Sequence, residues 1–236
     1  MNLVKSHKAR PYVFLSAATS LDGYIATIDG DSLLSNSKDW IRVHRLRAES
    51  DAIMVGSGTI RADDSKLTIN RKLIDISNEN NPIRVVVSSK GKIPLNSRVI
   101  THRPDILTLI ATTSQCSQNQ KKLLEEKGCH VIICGDGPLT DLFQLLYTLK
   151  KDFHIKKLMV EGGSRLNGEM LNNQLIDEVQ LAIAPVICGQ GVPLFNLSQE
   201  IPSFSKSPFF EIKAHSQIDD MIWLKMSIHY RHRRVS

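Results

Sequence analysis

The chain has 236 residues, of which 42% are hydrophobic and 23% are charged. This composition is typical of globular proteins, and the length is sufficient to bury a core without disulfide bonds or metals. No apolar run reaches the roughly 18 residues that a membrane-spanning helix requires. The basic N-terminus lacks the apolar region and cleavage site of a signal peptide. We therefore expect a cytoplasmic protein that does not interact with membranes.

The formal net charge of +6 is concentrated at the two ends of the chain. Six basic residues lie there, and these are Lys5, Lys8, Arg10, Arg231, Arg233 and Arg234. The other 24 of the 30 basic residues equal the 24 acidic residues in number. The body has no sustained basic stripe, so nucleic acid is not predicted as a partner. We expect a basic extension over residues 1–10, one domain over 11–230 and a basic tail over 231–236.

The cysteines are not spaced as metal ligands. Cys116, Cys129, Cys134 and Cys188 form no C-x-x-C pair, and no second pair of ligands lies near Cys129 and Cys134. Reduced thiols and no bound metal are predicted.

Short apolar segments alternate with segments of helical periodicity along the chain. Strands are predicted at residues 12–18, 24–26, 51–55, 83–87, 106–111, 130–134, 157–160, 179–184 and 221–229. Helices are predicted at residues 39–49 with Ser37 as the N-cap, after Ser57, and at 115–127, 139–150 and 164–172.

This alternation predicts an α/β fold whose central sheet is mostly parallel, with helices on both faces. The last two strands have no helix between them, so an antiparallel C-terminal strand pair is expected. The segment that joins them contains Pro193, Pro202 and Pro208, and is predicted to be a long irregular connection.

Two predicted strands end in glycines immediately before a helix. Gly56 and Gly58 follow one strand, and Gly162 and Gly163 follow another. Ligands of parallel sheets bind beyond these carboxyl ends, and glycines let the backbone approach them. Two such turns would suit the two ends of a dinucleotide, although each by itself is also compatible with a tight turn.

Charged and hydroxyl side chains accompany these turns. Glu161 stands at a strand end, where it is either a site residue or a capping carboxylate. Ser88, Ser89 and Lys90 end another strand and suit a phosphate monoester, which would favour NADPH over NADH, although a polar turn is the alternative. On the basic helix over 39–49, one arginine directed into the cleft would be enough to bind a sugar phosphate.

Six short segments occur together in an order and spacing that resemble a known family. They are Ser20-Leu21-Asp22-Gly23, Gly30-Asp31-Ser32, Leu46-Arg47-Ala48, Gly58-Thr59 with Ala62-Asp63-Asp64, Leu67-Thr68, and Glu161-Gly162-Gly163. Over residues 11–230 the chain resembles the riboflavin-biosynthesis reductases, whose fold is related to that of dihydrofolate reductase. It is similar to the stand-alone archaeal and fungal forms, because it lacks the H-x-E and P-C-x-x-C motifs of a zinc deaminase domain.

The resemblance implies a dihydrofolate-reductase-like fold, a homodimer and a specific reaction. The substrate would be 2,5-diamino-6-ribosylamino-4(3H)-pyrimidinone 5′-phosphate, reduced to its ribitylamino form by hydride transfer to C1′ of the opened imine. NADPH would supply the hydride, with NADH possible as a substitute. The alternatives are the deaminated uracil analogue as substrate, another pteridine or dihydrofolate-type reductase, and a non-catalytic nucleotide-binding paralogue.

The resemblance also implies roles for individual residues. Those expected to contact the substrate are Ser32, Arg47, Leu67, Asn70, Arg71 and Glu161. Those expected to contact the cofactor are Leu34, Thr59, Asp63, Ser89, Gly162, Gly163 and Ser164. Leu34 replaces a tryptophan of the bacterial pattern, and Asn70 replaces an arginine that the adjacent Arg71 would provide. Glu161 is expected to orient the reacting region, and no general acid is assigned.

Overall fold

The structure is a computed structural model that describes residues 9–75 and 81–230. The chain forms two compact units. Among the described residues, unit 1 comprises 9–12, 43–75 and 81–163, and unit 2 comprises 13–42 and 164–230. The predicted C-terminal tail and most of the N-terminal extension lie outside the described residues. Arg10 is described and buried, and its guanidinium donates to the carbonyl of Pro11.

The elements follow one another in a regular alternation through the middle of the chain. The strands are β1 (Tyr12–Thr19), β2 (Tyr24–Thr27), β3 (Ala52–Gly56), β4 (Ile83–Val87), β5 (Thr108–Thr112), β6 (His130–Ile133), β7 (Lys157–Gly162), β8 (Glu178–Ile183), β9 (Gly191–Pro193), β10 (Phe209–Ile218) and β11 (Met221–His229). The helices are α1 (Ser37–Ala48), α2 (Ser57–Asp63), α3 (Arg98–Thr101), α4 (Gln118–Glu126), α5 (Leu142–Lys151) and α6 (Ser164–Asn172), and a 3₁₀ turn covers Phe204–Lys206.

Unit 1 contains a parallel sheet in the order β7-β3-β4-β5-β6. Its strands are nearly continuous runs of buried apolar side chains, as a sheet covered on both faces requires. Ile53, Val86 and Ile110 are fully buried on three neighbouring strands. Because all five strands point the same way, the residues that follow them gather at one edge of the sheet.

The strands of unit 2 are hydrogen-bonded in the order β10-β11-β8-β1. Here β1 and β8 are parallel, whereas β8, β11 and β10 are antiparallel to their neighbours. A separate antiparallel ribbon joins β2 to β9. A small buried cluster of Ala182, Ala184 and Met221 packs against Ala18 and Leu34.

The predicted α/β class, the mostly parallel sheet and the antiparallel C-terminal pair are confirmed. The predicted irregular connection before residue 221 is wrong in one part, because β10 pairs with β11 over nearly its whole length. Most side chains of β10 are exposed or half-buried. The strand therefore lacks the apolar run or clear alternation that sequence patterns detect.

The helix starts also differ from the prediction. Ser37 lies inside α1, and the side chain of Asn36 accepts from the Asp39 N–H instead. The helices predicted from residues 115 and 139 begin three residues later in each case, after the caps Ser117 and Asp141. Those side chains accept N–H groups of the first turn, which fixes where each helix begins.

Two further features concern the described residues as a whole. All four cysteines are free thiols, three of them buried. None of the described helices combines the length and the apolar character needed to cross a bilayer.

Candidate active site

A buried ion pair lies at the edge of the unit 1 sheet. Arg47 in the last turn of α1 meets Glu161 at the end of β7, with Nε to Oε1 and the second nitrogen to Oε2 both at 2.7 Å. The two side chains are only 10% and 14% exposed. Two parallel N–H···O bonds form the bidentate geometry that fixes both groups in position. The sequence analysis selected both residues, and the structure brings them into direct contact.

The same guanidinium also holds the loop that follows α2. The Arg47 Nη1 group donates to the carbonyl of Thr68 at 2.8 Å. The neighbouring Leu67 is 1% exposed and has a positive φ of 49°. An apolar residue rarely takes this left-handed conformation unless surrounding contacts hold it there. Arg47 therefore joins the end of β7 to the loop over residues 67–70, in which Leu67 and Asn70 were selected from the sequence.

His44 lies one turn before Arg47 on α1 and is a residue to which the sequence assigned no role. Its Nδ1 accepts the Asn70 N–H at 3.1 Å, and the side chain is buried. Burial first, and then the positive charge of Arg47, lower the pKa of His44 from 6.5 to about 4, while Glu161 acts in the opposite direction. The imidazole is therefore neutral near pH 7. The neutral ring can accept at Nδ1 with its proton on Nε2.

The pair of Arg47 and Glu161 has little net charge, which limits what it can bind. Three of the five guanidinium N–H groups are already engaged, two by Glu161 and one by Thr68. The carboxylate offsets the charge of the guanidinium. Alone, such a pair suits hydroxyl groups and polar ring atoms better than a phosphate dianion, which requires further positive charge.

The two glycine turns of unit 1 lie against each other. A Cβ atom at Gly163 would come within 3.0 Å of Thr59 Oγ1, tighter than ordinary van der Waals contact. The peptide bond between Gly162 and Gly163 is cis. Gly56 caps α2 without a side-chain hydrogen bond. The structure thus brings together Thr59, Gly162 and Gly163, which the sequence analysis assigned to one cofactor.

The C-terminal end of α2 is fixed by an exposed ion pair. Arg98 donates to the Asp64 carboxylate from its backbone N–H at 2.7 Å and from Nε at 3.1 Å. It also donates to the carbonyl of Asp63 at 3.4 Å. Desolvation raises the pKa of the Asp63 carboxyl. Arg98 is far from Asp63 in sequence and follows no motif, which explains why sequence reasoning missed it.

A cluster of hydroxyl groups lies beyond β4. The hydroxyls of Ser89 and Thr140 are 3.2 Å apart, and the Thr140 N–H donates to Ser89 Oγ at 3.1 Å. The Thr113 hydroxyl donates to the carbonyl of Ser89 at 3.1 Å. Ser88 is buried and Lys90 is exposed. Ser89 was selected because it follows the carboxyl end of a strand. Thr113 and Thr140 follow β5 and β6 and could have been selected for the same reason.

Three of the selected residues belong to unit 2. Ser32 is exposed in the loop after β2, and Leu34 packs against the small apolar cluster of this unit. Ser164 begins α6 and is buried, and its hydroxyl has no hydrogen-bond partner among residues 9–75 and 81–230. Its carbonyl accepts the N–H of Asn196. A buried hydroxyl at a helix N-terminus without a protein partner suits a ligand acceptor atom.

Comparison with protein families gives one match to most of the chain. The model for the RibD C-terminal domain matches residues 11–222. The 2,5-diamino-6-ribosylamino-4(3H)-pyrimidinone 5′-phosphate reductase of Methanothermobacter thermautotrophicus is 43% identical over 180 residues, which cover 76% of this chain and 80% of that protein. The reductase of the same name from Archaeoglobus fulgidus is 37% identical, covering 76% of this chain and 83% of that protein.

Solved structures with the same fold include a bacterial and a yeast protein. Acinetobacter baumannii RibD superimposes with a TM-score of 0.79 at 26% identity, over 94% of this chain and 58% of that one. The chain therefore spans somewhat more than half the length of that bacterial protein. The Saccharomyces riboflavin biosynthesis reductase Rib7 gives a TM-score of 0.70 at 21% identity, over 97% of this chain and 92% of that one.

Proposed function

The chain belongs to the RibD C-terminal domain family, and we propose that it reduces 2,5-diamino-6-ribosylamino-4(3H)-pyrimidinone 5′-phosphate to the ribitylamino form, with NADPH as the reductant. The observation that carries the proposal is the buried bidentate pair of Arg47 and Glu161 at the strand ends of unit 1. A relative that bears the name of this reductase is 43% identical over 180 residues, or 76% of this chain, which supports the proposal.

The reaction requires positioning rather than a protein nucleophile. When bound, the reduced nicotinamide supplies a hydride to C1′ of the ring-opened imine. The C=N electron pair moves to nitrogen, which takes up a proton. The protein must hold the ribosyl chain in one orientation and exclude water from the reacting carbon. Glu161 is the residue we assign to orientation, since two bonds from Arg47 keep its carboxylate in place.

The residues present fit a dinucleotide. Gly163 leaves open the space next to the Thr59 hydroxyl that any larger residue would fill. In unit 2, the hydroxyl of Ser164 is buried at the start of α6 without a partner in the described part of the chain. Backbone N–H groups at such a helix start attract phosphate oxygens. We assign Thr59, Asp63, Gly162, Gly163 and Ser164 to the cofactor.

Preference for NADPH is assigned to the hydroxyl cluster of Ser89 and Thr140. A phosphate monoester binds best where several donors converge. Ser89 presents its hydroxyl beside that of Thr140, and Lys90 is exposed next to it. We propose that this cluster accepts the 2′-phosphate. Leu34 remains a proposed cofactor contact, with its side chain packed in unit 2.

The substrate phosphate needs a cation other than Arg47. Arg47 is neutralised by Glu161, so we assign the charge to Arg71, four residues beyond Leu67. Asn70 is exposed beside it and offers an amide. Ser32, exposed in unit 2, is a further proposed phosphate or ribose contact. Arg47 then contributes its two remaining N–H groups to the ribosyl hydroxyls.

A homodimer is proposed from the surface of unit 2. Its exposed apolar side chains include Val186, Ile187, Phe204, Ile212 and Ile222. These side chains would leave water if a second copy of the chain packed against them, which favours association. In β10, which is the edge strand of the unit 2 sheet, backbone groups on one side are also available for pairing.

The decisive experiment is NADPH oxidation by the purified protein with two substrates, the diamino compound and its deaminated uracil analogue. We expect turnover of the diamino compound, with NADH less effective than NADPH. Faster turnover of the uracil analogue would assign the second substrate instead. NADPH binding without oxidation of either would indicate a non-catalytic paralogue. Turnover of dihydrofolate alone would contradict the proposal.

A further inference from the structure

The loop over residues 67–70 is anchored by side chains rather than by a sheet. Arg47 donates to the carbonyl of Thr68, and Asn81 accepts the N–H of Ile69 at 3.0 Å. His44 accepts the N–H of Asn70 at 3.1 Å. Three consecutive residues of the loop are thus each bonded to a different side chain. The conformation of the loop depends on these anchors, because no strand among the described residues pairs with it.

Two of the three anchors stand on the same face of one helix. His44 and Arg47 are three residues apart on α1, a spacing that places both side chains on the same side. Arg47 also holds Glu161. One turn of α1, which carries both His44 and Arg47, therefore contacts the loop and Glu161 and fixes the distance between them. His44 determines the end of the loop that carries Asn70, and Arg47 determines the end that carries Thr68.

We propose that His44 is a positioning residue, which fixes the substrate-contacting loop of Leu67 and Asn70 relative to Glu161 by accepting the Asn70 N–H. The inference rests on the proposed function only for the identity of the substrate. His44 itself touches no reacting group. Its effect on the reaction passes through the backbone of the loop.

The protonation state of His44 is consistent with this role. Burial and the charge of Arg47 lower its pKa to about 4, against the opposing charge of Glu161. A neutral imidazole keeps an acceptor at Nδ1 throughout the neutral pH range, whereas an imidazolium ion has none. Burial therefore maintains the form of the ring that the loop needs.

Two substitutions at this position separate the hydrogen bond from the bulk of the ring. His44→Asn places an amide oxygen close to the position of Nδ1 and can still accept the Asn70 N–H. His44→Leu fills the space without an acceptor. We expect H44L to raise KM for the phosphorylated substrate about tenfold, with kcat changed less than threefold. H44N should recover most of this loss, and NADPH Kd should be unchanged in both. His130→Leu, at an exposed histidine that begins β6 in the same unit, is the control.

A second measurement does not depend on turnover. Amide hydrogen exchange at Asn70 should accelerate in H44L and stay slow in H44N, with both proteins folded by circular dichroism. Equal KM values for H44L and H44N, or equal exchange at Asn70, would overturn the role of His44. If the wild-type protein does not reduce the pyrimidine substrate, the proposed function fails while the exchange result still decides the role of His44 in the loop.

Discussion

Two of the arginine–carboxylate pairs in unit 1 differ mainly in burial. Arg47 and Glu161 are 10% and 14% exposed, whereas Arg98 and Asp64 are each 48% exposed. Exposed pairs contribute at most about 1 kcal/mol because water and salt screen them. Breaking a buried pair leaves an uncompensated charge and costs about 3–5 kcal/mol. The two pairs therefore differ in what they stabilise. Arg47 holds Glu161 and the loop over residues 67–70 in place, and Arg98 fixes the C-terminal end of α2.

The largest effect is expected from Glu161→Gln. The amide keeps the shape of the side chain but leaves the buried guanidinium without its counter-charge. We expect the free energy of unfolding to fall by about 3 kcal/mol in urea denaturation, at the lower end of the range for a broken buried pair because the amide oxygen can still accept one hydrogen bond. We expect kcat/KM to fall about a hundredfold in the NADPH oxidation assay. If the unfolding free energy and kcat/KM were both unchanged, the buried pair would contribute no more than the exposed pair of Arg98 and Asp64.

Arg47→Lys tests whether the charge or the forked geometry matters. Lysine keeps one positive charge but cannot form two parallel bonds to Glu161 while also donating to Thr68. We expect kcat/KM to fall about thirtyfold, with KM and kcat both affected because the loop and Glu161 move together. Wild-type kinetics in R47K would show that charge alone suffices.

Acid should destabilise the buried region around His44. The pKa of His44 in the folded protein is about 4, below its usual 6.5. The unfolded chain therefore binds the proton first, and the stability present above pH 6.5 is lost as the pH falls toward 4. Between pH 7 and pH 5 we expect His44→Asn to lose about 1–2 kcal/mol less stability than the wild type. Parallel pH curves of unfolding free energy for the two proteins would contradict the assignment.

Arg98→Ala is expected to have the smallest effect. Because the pair is exposed, the loss of unfolding free energy should stay below about 1 kcal/mol, and salt at about 1 M should remove most of it. Arg98 also contacts the backbone at Asp63, so NADPH Kd should rise a few-fold in isothermal titration. A loss of stability comparable to that of Glu161→Gln would remove the distinction between the two pairs.

The parts of the fold with a strong sequence pattern could be predicted. The buried strand Ile83–Val87 was placed to the residue, and the other strands of unit 1 were placed to within two residues at each end. A short, continuous apolar run between polar turns is typical of a buried strand. Phe209–Ile218 was missed because its side chains are mixed in character and mostly exposed or half-buried. Helix starts were missed where a side chain outside the apolar pattern provides the cap, as Asn36 does.

The sequence predicted which residues belong to the candidate site but not which of them contact each other. Arg47 and Glu161 were selected from separate motifs, and each was expected to meet the substrate. Their contact spans 114 residues of sequence, which local patterns cannot detect. His44 was seen only as one basic residue among several, because its role depends on the position of Asn70. The individual substrate and cofactor contacts remain predictions.

The pairing of β3 with β7 has a consequence for how the protein is made. The two strands are neighbours in the sheet, yet about a hundred residues of chain separate them. Long-range parallel pairing slows folding, because the intervening segment must be ordered before the contact forms. During synthesis Arg47 leaves the ribosome well before Glu161 exists, so its guanidinium remains hydrated until β7, the last strand of unit 1, arrives. The ion pair of Arg47 and Glu161 therefore forms late, and a chain that ends before β7 cannot contain it.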